Sequence, residues 1–257
     1  AISGPLIFSI LFVIIGKGDR LLADYQRGYA LLWIPLALVL LCIYFAWRAV
    51  PNPEVLENSA VNPPESDKLS KIFWIYTVFT FVTTLGFANF ALIGYHLKAK
   101  HVLSDAQIPL FYALAMGVDA IAAMAIGKTY DIFKARRGND KAGLITLIAI
   151  PVFSLLIPGL VFSTKFGWVL AGVIVWGIVM GCHETVMKSA IADLTPLKKR
   201  GTGYGVFNAA YGLSIFIGSA LTGLLYEYSI SAVVAVSIMV EIMVFPIFFI
   251  MRREALK

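Results

Sequence analysis

Residues Ala232–Met251 read AVVAVSIMVEIMVFPIFFIM, a run of twenty positions with a single ionisable side chain, Glu241. A hydrocarbon core about 30 Å thick is crossed by roughly 20 apolar residues of helix, so this run has the length and composition of one membrane crossing. Toward the N-terminus the pattern recurs at Ala1–Gly16, Ala30–Arg48, Ile72–Tyr95, Ile108–Gly127, Leu144–Phe162, Trp168–Ser189 and Gly205–Leu225. With 14% charged residues and a mean hydropathy of +0.84, a water-soluble domain of 257 residues is excluded. The expected fold class is all-α, a polytopic membrane bundle of about eight helices.

The formal charge of +6 does not point to nucleic acid, because the basic residues fall in short connections between apolar runs. Taken alternately, those connections carry 14 Lys and Arg on one side and 6 on the other. The excess places the C-terminus in the cytoplasm of a multi-pass protein of the inner (plasma) membrane. About 15 residues at 1.5 Å rise make Ala1–Gly16 too short for a full crossing, and the chain begins with Ala1, so a fragment that starts inside a helix is expected. The connection from Val50 to Ser70 holds Pro51, Pro53, Pro63 and Pro64 among acidic residues, a composition that resists helix. It divides residues 1–49, two helices of a truncated bundle, from residues 71–257, a six-helix bundle, with 50–70 as a cytoplasmic linker. Cys42 and Cys182 lie singly in apolar runs and suggest neither a disulfide framework nor a metal set; no cofactor is expected.

Charged side chains at bilayer depth are costly and normally face a cavity or a partner. Gly177, Gly181, Glu184 and Lys188 are spaced 4, 3 and 4 apart, which keeps them on a helix stripe about 60° wide. The glycines admit a neighbouring backbone, and Glu184 and Lys188 are placed to pair at i,i+4. The stripe reads either as a cavity wall with a titratable carboxylate or as a structural ion pair near the membrane edge. His183, about 100° off that stripe, reads as a packed or hydrogen-bonded helix residue before a proton carrier. Asp119 sits near mid-membrane on one side with Tyr112, Ala115, Ala122 and Ala123, and is the strongest site candidate. It can exchange a proton or neutralise a cationic substrate, or serve only as an interhelical hydrogen-bond acceptor. Tyr204, Asn208 and Tyr211, followed by Ser219 and Thr222, form a polar stripe that suits either a cavity or helix packing, and Asn89 is equally ambiguous. Glu241 shares a face with Ser237 and reads as a structural contact.

Enzyme motifs are missing: no H-E-x-x-H helix, no G-x-S-x-G elbow and no P-loop. Asp119 and Asp131, twelve residues apart on one helix, are separated by roughly 18 Å, too far to share a proton as a catalytic dyad.

Gly127-Lys-Thr-Tyr-Asp131 followed by Arg136-Arg137 is similar to the G-x-x-x-D-R-x-G-R-R loop of major facilitator superfamily transporters, with Ile132 in place of the basic residue after the aspartate. Arg200-Gly201, preceded by Ala192-Asp193-Leu-Thr-Pro196, resembles the start of that family's penultimate helix. Gly4-Pro5 resembles the centre of its antiporter motif, where Phe8 and Ser9 replace two glycines. The resemblance covers nearly the whole chain. It implies family helices five to twelve, a central loop at the Pro-rich linker, and cavity-forming helices for Asp119, Glu184, Asn208 and Asn89, with Glu241 on a peripheral one. The function it implies is secondary active transport of a small solute by alternating access, with protons as a candidate coupling ion and the lipid bilayer as surroundings. Asp119, Glu184, Lys188, Asn208, Tyr204, Tyr211 and Asn89 are the pathway candidates, and Gly127, Asp131, Arg136, Arg137, Arg200 and Gly201 the conformational loop. A non-transporting sensor or scaffold on the same fold is the main rival, and an intramembrane enzyme the lesser one.

Overall fold

The structure, a computed structural model, describes residues 4–7, 10, 29–50 and 68–256. Most of the segment expected at Ala1–Gly16, and linker residues 51–67, lie outside the described residues. Among those described there is no strand, and seven helical spans are long and apolar enough to cross a bilayer: Tyr29–Ala49, Lys71–Ala99, Gln107–Arg137, Lys141–Val161, Phe166–Leu194, Leu197–Tyr228 and Ile230–Ala255.

The helices are α1 (Trp33–Ala49), α2 (Lys71–Gly86), α3 (Phe90–Ala99), α4 (Gln107–Arg137), α5 (Ala149–Ser154), α6 (Ile157–Val161), α7 (Phe166–Glu184), α8 (Val186–Leu194), α9 (Arg200–Tyr228) and α10 (Ile230–Ala255). None of the residues of α1 is buried, whereas the rest share one core built around Phe73, Tyr76, Phe79, Phe207 and Phe248. Tyr76 stacks on Phe207 with ring centroids 6.2 Å apart, and its hydroxyl donates to the Met187 carbonyl.

Three spans expected as single helices are interrupted. The first break falls at 87–89, between α2 and α3. Asn89 caps α3 by accepting from the Ala91 amide at 2.9 Å, and Trp176 Nε1 donates at 2.8 Å to the Ala88 carbonyl. An exposed break of this kind is not tolerated in hydrocarbon; it persists here because protein groups replace the lost helical bonds. The second is Thr185, at φ −107° and ψ −72°, which separates α7 from α8. The third is the span expected at Leu144–Phe162, which winds as a 3₁₀ helix over Asp140–Ile148 before α5 and α6. Pro151 and Pro158 have no amide hydrogen to give Leu147 and Ser154 four residues back, so a continuous α-helical ladder is unavailable.

Small residues set the helix spacing. A Cβ on Gly181 would lie 2.7 Å from the Asp119 carbonyl oxygen and 2.9 Å from the Ala123 nitrogen, and Gly177 meets the Ala115 carbonyl in the same way. The α4–α7 seam is therefore a backbone-to-backbone contact. Gly218 brings α9 onto the Leu85 carbonyl of α2, where a Cβ would stand 2.6 Å from the oxygen.

Gly181→Val should force these backbones apart at a cost of about 1–3 kcal/mol, read as a lower thermal unfolding midpoint in detergent. Gly159→Ala, where an added Cβ meets nothing within 4 Å, should leave the midpoint within error.

Candidate functional site

The charged stripe of α7 and α8 opens onto a cleft of about 450 Å³ lined by Glu184, Thr185, Lys188, Ser189 and Tyr204, with Asp131, Lys134 and Asp193 at one end. Glu184 and Lys188 are both exposed, and no ion pair joins them, contrary to the i,i+4 pairing the sequence suggests. The reason is local: Thr185 interrupts the helix between them, so the regular one-turn offset is lost. Lys188 is tied instead through its backbone, whose carbonyl accepts from the Tyr204 hydroxyl at 3.2 Å.

Asp119 lies not in this cleft but in the α4–α7 seam, 6% exposed. Its Oδ1 is buried with no hydrogen-bond partner among the described residues, and Glu184 and Lys188 are close enough to act on it electrostatically. A third location is an inner cavity of about 170 Å³ at the α2–α3 break, lined by Asn89, Tyr112, Trp176, Tyr211 and Ser219 among others. There Asn89 Nδ2 donates to Ser219 Oγ at 3.1 Å, and Tyr211 Oη sits 3.3 Å from His183 Nδ1. His183 itself is buried, its ring 4.9 Å from that of Phe87. Asn208 is exposed on α9 between Tyr204 and Tyr211. The candidates thus divide into Glu184, Lys188 and Tyr204 in the open cleft, Asn89 and Tyr211 in the inner cavity, Asp119 between helices and Asn208 on an open face.

The loop residues separate differently. Among the described residues Asp131, Arg136 and Arg137 are exposed and make no ion pair. The ionic contact in this region runs from Lys134, whose Nζ lies 2.7 and 2.8 Å from the two carboxylate oxygens of Asp193. Tyr130 donates to Asp193 Oδ2 at 2.7 Å, so α4 is fastened to α8 by one carboxylate with two donors. Arg200 reaches the Ala192 carbonyl at 3.4 Å, Gly127 faces Thr185, and Gly201 is open around its Cα.

Residues 78–257 match the profile of the Major Facilitator Superfamily. The chain belongs to this superfamily. It is 34% identical over 257 residues to uncharacterized proteins of Mycobacterium bovis and Mycobacterium tuberculosis, an alignment covering 98% of this chain and 59% of theirs. The chain therefore spans about 59% of the length of these relatives. It is also 31% identical over 117 residues to the class H tetracycline resistance protein of Pasteurella multocida, covering 46% of this chain and 27% of that one. No solved structure matches the chain.

The helical bundle is accordingly a major facilitator bundle in a multi-pass membrane protein. Two features of it escape a reading by periodicity. Lys134 is one of three basic residues in the last turn of α4, with nothing in the sequence to single it out, and only the fold brings Asp193, 59 positions away, into contact with it. The break beside Asn89 has a local signal, a capping residue type inside an apolar run, but hydropathy alone does not distinguish it from a helix interior.

In a double-mutant cycle of Lys134→Ala and Asp193→Ala, the destabilisations should be non-additive by about 0.5–3 kcal/mol, measured by thermal unfolding. Asp131→Asn should shift the midpoint far less.

Proposed function

We propose that the chain is the larger part of a secondary active transporter that moves a small solute by alternating access. Residues 1–49 would be the last two helices of the first bundle, 50–70 the cytoplasmic linker and 71–257 the second bundle, with the C-terminus in the cytoplasm of the inner (plasma) membrane. Membership of the superfamily supports transport as the class of activity, and the basic excess on one side supports the orientation.

The observation that carries the reading is the placement of Asp119. A carboxylate that is 6% exposed and unpartnered among the described residues is expensive at bilayer depth. Such a group is retained where its charge is used, here beside a cleft that holds a free acid and a free base, Glu184 and Lys188. Asp119 takes the first role, exchanging a proton or pairing with a cationic substrate. Glu184 takes the second, with Lys188 as its counter-charge, and Tyr204, Asn208, Tyr211 and Asn89 supply hydrogen bonds along the path. The lipid bilayer and a small-molecule substrate are the partners required. Chemical turnover is not part of this role.

In the full-length protein in proteoliposomes, Asp119→Asn should abolish solute flux, and Glu184→Gln should reduce it. An imposed pH gradient should accelerate wild-type flux but not that of Asp119→Asn. Unchanged flux in Asp119→Asn removes that residue from the pathway, and absence of counterflow in the wild type would favour a sensor or scaffold.

A further inference from the structure

The second carboxyl buried at bilayer depth, after Asp119, is Glu241, and it is more enclosed than Asp119. It is fully buried in the middle of α10, at 0% exposure. Thr83 Oγ1 donates to its Oε2 at 3.3 Å, and its Oε1 has no hydrogen-bond partner among the described residues. Ser237, one turn away on the same face, also holds a buried hydroxyl with no partner there. Against this carboxyl lies the last residue of α2: a Cβ on Gly86 would stand 3.0 Å from Oε1.

Among the described residues no cation compensates it. Lys71 stands at the far end of α2, Arg200 and Glu227 at the two ends of α9, Lys141 at the start of the 3₁₀ stretch, and Arg252 and Arg253 in the last turn of α10. From Glu241 to Arg252 is eleven residues of helix, roughly 16 Å. The group facing Glu241 is instead the C-terminal end of α2, which carries partial negative charge. An ionised carboxylate held by one hydroxyl against a helix C-terminus is unfavourable on both counts. A proton removes both penalties and needs no room beyond the carboxyl itself.

We propose that Glu241 is a proton-binding site of this bundle, separate from Asp119, that takes up one proton to become a neutral carboxyl when α2 and α10 are packed as described. Proton binding costs no bond elsewhere: the carboxylate lone pair accepts H⁺, and release returns the same group to its charged form. Because Gly86 ends α2 immediately before the break at 87–89, loss of the proton sets the carboxylate against that helix end and loosens the joint. This deepens the transport reading by adding a second proton-holding group, but its test needs neither substrate nor gradient, so a failed flux assay and a failed proton site are told apart.

The test is infrared spectroscopy of the full-length protein in lipid at neutral pH. The expected result is a protonated-carboxyl stretching band that shifts on carbon-13 labelling of glutamate, disappears in Glu241→Gln, survives in Asp119→Asn and is unchanged when NaCl replaces choline chloride. In Glu241→Asp, which keeps a carboxyl, the band should no longer follow the glutamate label, so the test stands even where Glu241→Gln does not accumulate. A glutamate band that persists in either Glu241 variant overturns the proposal, as does a band that NaCl abolishes, since the carboxylate would then hold sodium in the proton's place.

Discussion

A backbone carbonyl that loses its helical donor inside a bilayer finds no water to replace it, and this scarcity of partners governs how the bundle is assembled. The break at 87–89 survives because Asn89 supplies an acceptor to the Ala91 amide and Trp176, from α7, supplies a donor to the Ala88 carbonyl. The same economy explains the seams. Where hydrocarbon is as apolar as leucine, helices gain little by hiding side chains and gain most by close approach. Gly177 and Gly181 on the α4–α7 seam and Gly218 between α9 and α2 let two helix pairs approach until backbone meets backbone.

Charge follows the same rule with higher stakes. Along the open cleft, Glu184 and Lys188 are exposed and unpaired with each other, and Lys134 and Asp193 pair at modest exposure. At bilayer depth two carboxyls, Asp119 and Glu241, keep a buried oxygen that no described side chain satisfies. They sit in different seams, Asp119 between α4 and α7 and Glu241 between α2 and α10.

Much of the bundle was legible because hydropathy and length are enough to identify a crossing, and the runs from Ile72 onward each correspond to a helical span. Gly177 and Gly181 were legible for a related reason: their spacing puts them on one face, and a bare face implies a close neighbour. What periodicity could not give was any interruption. A pattern of 3.6 residues assumes that the helix continues, so it paired Glu184 with Lys188 across Thr185 and ran one helix through Pro151 and Pro158. It also ranked Glu241 below Asp119, since the threonine and glycine that enclose it, Thr83 and Gly86, lie on a helix remote in sequence.

Trp176 gives the broken span an optical consequence. Of the five tryptophans, Trp33, Trp47, Trp74 and Trp168 are at least half exposed, and Trp176 alone is buried, at 4%. Its indole nitrogen is bound to the carbonyl left free by the break, so any rearrangement that re-forms the helix there must strip that bond and change the polarity around one ring. With the four exposed tryptophans replaced by phenylalanine, the emission colour and lifetime of Trp176 become a gauge of whether the two halves of this span are bent or straight.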